Sequence, residues 1–464
     1  MREQQEQQNI ADNTEELSFT LSDQDIRGIS EAVHAQDSDT VHSILNDLSA
    51  PDTAELIAKV KEEDREELIA MYGDALDPLV FSEMNPELSR ACLSNMPTHQ
   101  IADIVTALES DDALDLIEPL DVRQQKDIIR KLSSKTRVAL EEGLSYPEES
   151  AGRLMQREIV AVPHFWTAGK AIDYIRAATE DLPEEFFDIF IIDPSYHVKG
   201  QIPLNKLVRS ERKIKLEEIM TKSIQPVPAT MDQEEVAHLF RRENALSAPV
   251  VDEDGRLLGV VTIDDVVDVI DEEAQEDILR MAGVGNDDLY RAILSTTGTR
   301  FRWLFVNLLT AVLASLVISL FDTTIQELVA LAVLMPIVAS MGGNAGTQAL
   351  TVAVRALATK ELSETNTWRI IGKETLVGSL NGAAFALITG ILAALWFTNP
   401  MLGIVIAAAM LINLIVAGFF GASIPILLDR YGSDPAVAST VFLTTVTDVI
   451  GFFAFLGLAA LFIL

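Results

Sequence analysis

Cysteine is nearly absent from this chain: Cys92 stands alone among 464 residues, which excludes an intramolecular disulfide framework. Neither a Cys-x-x-Cys pair nor a His-Glu-x-x-His helix occurs, so no zinc centre is indicated. Basic side chains are scarce too, 35 Lys and Arg against 70 Asp and Glu, for a net charge of -35. That balance argues against nucleic acid or an anionic lipid surface as partners of the soluble part, and in favour of cations. The opening MREQQEQQNIADNTEEL lacks the apolar core of a signal peptide, so residues 1–20 are expected to be a disordered cytosolic tail. There is no phosphate-binding loop and no catalytic constellation, so the chain is not expected to be an enzyme.

What is present is unevenly spread. Residues 301–464 contribute only 6 of the basic and 8 of the acidic side chains, so the first 300 carry nearly all of the net charge. The last third holds five apolar segments, roughly Trp303–Phe321, Leu328–Ala353, Thr375–Phe397, Leu402–Leu428 and Ala436–Leu464. Each is long enough for a bilayer, which takes about 20 residues. Arg300 and Arg302 precede the first; Arg355, Lys360, Arg369 and Lys373 lie between the second and third; Arg430 follows the fourth. The two remaining loops have no Lys or Arg, which predicts a cytoplasmic soluble half and a periplasmic carboxy terminus.

The second segment contains LMPIVASMGGNAGTQAL, residues 334–350. Pro336 and the pair Gly342-Gly343 are poor helix residues, and the amides Asn344 and Gln348 share one helix face while Gly342 and Gly346 share another. Such a stretch is either a packing seam of small residues or the wall of a polar path, where freed backbone carbonyls near Gly342-Gly343 can also take part. Asp448 favours the path. It is the only acid well inside a segment, and a carboxylate at such a depth costs roughly 2.5–3.5 kcal/mol, which marks a functional site. Asn381 and Asn413 read as packing amides.

Ahead of the membrane, residues 21–150 show helical spacing, as in Ala102–Ile117 and Gln125–Leu140, and predict short antiparallel helices in a superhelix. Residues 151–275 contain a duplication. Asp193 to Gly200 and Asp252 to Gly259 register at an offset of 59, whereas the prolines Pro163 and Pro228 register at 65. The repeat resembles a tandem CBS pair, about 155–215 and 219–275, with the first copy degenerate; that resemblance makes the pair a candidate for binding ATP. Residues 264–277 then hold eight acids and no base. Val266, Ile270, Ala274, Ile278 and Met281 make an apolar stripe opposite Asp265, Asp268, Glu272 and Glu276. A solvated face is the ordinary reading of such a run, but its place just before a membrane favours a magnesium- or calcium-binding surface.

The chain as a whole resembles the MgtE family of bacterial magnesium channels. The residues that carry the match are PIVASMGGNAGTQ at 336–348, DPAVAS at 434–439, TTVTDV at 444–449 and the second CBS copy running into EEAQED. The resemblance implies an all-α cytosolic superhelix, an α/β CBS pair, a connecting plug helix at 276–298 (about Glu276–Thr297) and a five-helix transmembrane domain at 299–464. It implies a homodimer in the inner membrane with a pore on the two-fold axis for hydrated Mg2+. Asp448 is matched to the ion-holding aspartate, with Asn344, Gly342, Gly343, Gln348, Thr444 and Thr447 around it. Asp265, Asp268, Glu273, Glu276 and Asp277 are matched to a regulatory magnesium cluster, and Asp103 to an acid facing it. The chain departs from the family pattern at His99, at Asn244 and at Thr440-Val441. Two further readings stay open: a coupled exchanger for magnesium, cobalt or nickel, and more remotely a membrane-anchored nucleotide sensor.

Overall fold

The computed structural model describes residues 21, 23–178, 182–183, 185–284, 293–362 and 365–463. The expected tail over 1–20 lies outside them, as do residues 285–292 of the expected connecting helix. The described residues form two units that meet in sequence at Ile270 and Asp271.

The first unit opens with short helices from Asp23 to Gly143. The helical windows of the sequence each divide: into Thr98–Ala107 and Ser110–Ile117, and into Val122–Ile129 and Ser134–Gly143. Apolar spacing runs through both breaks, so periodicity alone misses them. Leu108 and Glu109 are extended, and the Ser133 hydroxyl starts the last helix by accepting the Thr136 N–H. Leu56, Phe81, Leu93 and Ile117 are among the buried side chains of one continuous core.

The duplication appears as two three-stranded sheets of equal design. In the first, β1 (Ala161–Pro163) pairs parallel with β2 (Asp188–Ile192), which pairs antiparallel with β3 (Val198–Pro203). In the second, β4 (Val227–Pro228), β5 (Ser247–Val251) and β6 (Leu257–Thr262) repeat the order. The register slips at the same place in both, Ile191/Ile192 and Val250/Val251. Each copy is finished by the lead segment of the other. Gln201 bridges Thr221, and Gln156 bridges Val260. A Cβ at Gly200 would meet the Thr221 carbonyl and Met220, and one at Gly259 would meet the Gln156 carbonyl and Met155. That reciprocal exchange explains the two offsets: the glycines follow the sheets, whereas Met155 and Met220 follow the prolines. Asn244 closes the helix Gln233–Glu243 in the left-handed region at φ 51°, a conformation that asparagine tolerates better than an acid extended by one more carbon.

The acidic helix is Ile263–Met281, and a single helix over 276–298 is not what forms. Gly283, at φ 72°, follows its end, and Ile293 already belongs to the first membrane helix. The apolar stripe also differs from expectation. Val266 and Val269 are the buried residues, while Ile270 and Ile278 are exposed.

In the second unit five helices are long and apolar enough to cross a membrane. They run Ile293–Ser319, Ala330–Ala358, Thr367–Trp396, Pro400–Arg430 and Pro435–Phe462, and are called the first to fifth spans. The second span continues unbroken through Pro336 and Gly342-Gly343, so the glycine pair frees no carbonyls, contrary to the sequence expectation. Pro336 merely cannot donate to the Ala332 carbonyl, a defect that one helix turn absorbs.

Candidate ion path and acidic cluster

The second span has two unlike faces. Gly342, Gly346, Ala349, Leu350 and Ala353 are buried, with Gly346 against Leu443 of the fifth span. Ser340, Asn344, Thr347, Gln348 and Thr351 are exposed and fall on one helix face by their spacing. Within it the Asn344 amide donates to the Ser340 hydroxyl at 3.3 Å, and the Thr347 and Thr351 hydroxyls donate to the carbonyls of Gly343 and Thr347. Only Asn344 and Gln348 of this stripe were singled out from sequence. The signal for the rest was the same spacing extended to three hydroxyls.

The fifth span begins at Asp434, whose carboxylate accepts the Ala436 N–H at 2.7 Å. Asp448 lies near its middle and is half-buried. Thr444 and Thr447 turn their hydroxyls to carbonyls of their own helix, and Thr447 is fully buried. Of the residues expected along a path, Asn344 and Gln348 are therefore exposed, Gly343, Thr444 and Asp448 partly so, and Gly342 and Thr447 sit inside the bundle. Asn413 of the fourth span is buried completely and donates to the Val338 carbonyl at 2.9 Å, a packing amide as expected, while Asn381 is exposed.

In the first unit the start of the acidic helix meets acids that sequence reasoning did not single out. Burial, then the charge of Asp265 and Asp112, raises the Asp111 carboxyl well above the carboxylate range. Burial pushes Asp265 up to about 7, opposed by the Thr262 hydroxyl, which donates to it at 2.8 Å. Burial also raises Asp112, aided by Asp264 and Asp268, and raises Glu83, aided by Asp268 and Asp112. Glu109 is raised by burial and feels Glu158, Asp112 and Asp264. Asp103 is exposed on its helix. Among the described residues no three such side chains are close enough to grip a bare metal ion. The set is a concentration of like charge that an added cation would relieve.

The far end of the acidic helix, in the second unit, is held by a cation of its own. The Arg280 guanidinium pairs with Glu276 one turn back and with Asp434 at 2.5 Å. Thr440 donates to the Met281 carbonyl at 3.1 Å. Burial, with the charges of Asp434 and Glu273, raises the Asp277 carboxyl. Beside the first sheet an open cavity of about 760 Å³ is lined by His164, Lys199, Glu217, Glu218, Met220 and Lys222.

Five membrane helices joined to a CBS pair and an acidic helical domain define a class of membrane transporter. Residues 335–458 match a family described as a divalent cation transporter, residues 48–149 the MgtE intracellular N domain, and residues 216–272 a CBS domain. A magnesium transporter MgtE from Thermus thermophilus is 31% identical over 446 residues, covering 93% of this chain and 97% of that protein. One from Enterococcus faecalis is 35% identical over 323 residues, covering 70% and 71%. A solved cytosolic domain of the Mg2+ channel MgtE in complex with ATP is 30% identical, covers 53% of this chain and 99% of that one, and superposes with a TM-score of 0.49. The chain belongs to the MgtE family of magnesium transporters, and its relatives are transporters rather than enzymes.

Proposed function

We propose that this protein is a magnesium-selective channel that admits hydrated Mg2+ across the bacterial inner membrane and closes when cytosolic Mg2+ binds its acidic helical and CBS regions. The observation that carries the reading is the exposed stripe Ser340, Asn344, Thr347, Gln348 and Thr351 on a membrane helix. Amides and hydroxyls are poor neighbours for lipid chains, whereas a water-filled path suits them. Two copies facing each other across an axis would enclose the stripes and bring two Asp448 carboxylates to one passage. Magnesium gives up its water reluctantly, so amides and carboxylates that touch ion-bound water suit it better than a tight cage.

Closure follows from charge. The acids around Asp111 and Asp265 repel one another until a cation lies among them, so Mg2+ favours the gathered arrangement and its depletion favours a looser one. Asp268, Glu273, Glu276 and Asp277 extend that surface along the acidic helix. ATP is a further candidate ligand of the CBS pair, where Lys199 and Lys222 could meet phosphates.

Purified protein in liposomes, given each divalent cation in turn with a pH-sensitive dye inside, tests the reading. Mg2+ entry with no change in the dye supports a channel. A dye change that keeps step with entry makes it a coupled exchanger. Failure of any divalent ion to enter overturns transport by this chain alone.

A further inference from the structure

We infer that Asn413 is a positioning residue for the ion path: its planar amide sets the spacing of the second and fifth spans and so holds Asn344 and Asp448 in place. The inference rests on the reading of Asp448 as the residue that carries permeation. Asn413 lies in the middle of the fourth span with no exposed surface. Its Nδ2 donates to the Val338 carbonyl, which lies one turn before Gly342. Two glycines close on the same amide, Gly342 from the second span and Gly451 from the fifth.

The contact is flat. A Cβ built on Gly451 would sit 2.8, 3.0 and 3.2 Å from Nδ2, Cγ and Oδ1, nearly equal distances that place it over the face of the amide. A Cβ on Gly342 would strike the same three atoms, Nδ2 most severely. Glycine is thus required at both positions because an amide lies between them, and no branched side chain is thin enough to replace it. Gly342 belongs to the same turn as Asn344, and Gly451 follows Asp448 by three residues, so one amide fixes both halves of the site.

Packing alone does not account for the choice of residue. Asn413 Oδ1 is buried without a hydrogen-bond partner, a cost that leucine would avoid while filling a similar volume. The donor and the flat shape are what leucine lacks. Displacements of an ångström or less suffice to spoil a preorganised site.

Magnesium and cobalt flux through the reconstituted full-length protein tests this, alongside melting temperature. Asn413→Leu is expected to reach the membrane and melt within a few degrees of the parent, yet to lose about tenfold in Mg2+ flux and to shift the Mg2+ to Co2+ ratio. Gly342→Ala should show the same loss, and Gly342→Ala combined with Asn413→Ala, which makes room for the methyl but supplies neither the donor nor the flat spacer, should recover little of it. Parental flux and ratio in Asn413→Leu, with Asp448→Asn inactive, overturn the positioning role and leave the path reading intact. Parental flux in Asp448→Asn overturns the path reading and this inference with it. A flux loss that tracks a collapse in melting temperature makes Asn413 a packing residue only, and a double variant with parental flux, achieved without the amide, also counts against the proposal.

Discussion

Asp448 puts a carboxylate where lipid surrounds the bundle, and Asn is close to Asp in shape while carrying no charge. Asp448→Asn is expected to leave the protein in the membrane at normal amounts and slightly more stable, with Mg2+ flux near background in the liposome assay. Asn344→Ala removes an amide but no charge, so it should change the preference among divalent ions more than the total flux. At the lone cysteine the expectation is chemical inertness. Cys92 is buried in the helical domain, and burial pushes its thiol up to about 11. At pH 8 only about one thiol in a thousand would be ionised, so alkylation should await unfolding. Rapid labelling of the native protein would contradict the packing of the helix Pro86–Ser94.

The acidic helix shows how far sequence can reach. Its charge run was plain, and so was its proximity to a membrane. The partners of its first turn were not, because Glu83, Glu109, Asp111 and Asp112 come from other helices and leave no periodic trace in the sequence. Asp103 was expected there and is exposed on its own helix. The apolar stripe was misplaced by one position because Val269, not Ile270, turns inward. Millimolar Mg2+ should protect this region from protease, and changing Asp265, Asp268, Glu273, Glu276 and Asp277 to their amides should abolish that protection and hold the path open. Protease sensitivity that ignores Mg2+ in the native protein would remove the sensing role. Arg280 supplies a test at the other end. Arg280→Gln strips the shared partner from Glu276 and Asp434, both partly exposed, at a cost of about 1 kcal/mol. Cleavage near Met281 should quicken in the absence of Mg2+, and unchanged cleavage would show that Thr440 and the surrounding packing hold the helix end without it.

For the whole molecule, the positions of Lys and Arg make the strongest sequence statement. A reporter fused after Leu464 should read as periplasmic and one after Arg430 as cytoplasmic; a cytoplasmic signal from the first would overturn the orientation. The five spans were legible because length and apolarity define them, although four of the helices start earlier than their apolar stretch, as the third does at Thr367, while the second starts two residues later, at Ala330. The site was only half legible. Asn344 and Asp448 announce themselves as polar residues among apolar ones, whereas the place of Asn413 between Gly342 and Gly451 depends on three helices meeting.

The reciprocal bridges of the two sheets bear on the order in which the chain can fold as it is made. Synthesis runs from the amino terminus, and domains fold as their residues emerge. The first copy cannot be completed until Thr221 has been added, and Gln156 must wait for Val260. Val260 precedes the first span by only about thirty residues, so the soluble module would close at nearly the moment when membrane insertion begins. A ribosome stalled before Val260 would hold a first sheet able to close on Thr221, an unfinished second sheet and an unpaired Gln156 segment, a species open to capture by chaperones, and the coupling of two folding events in time would be built into the gene order of the repeats.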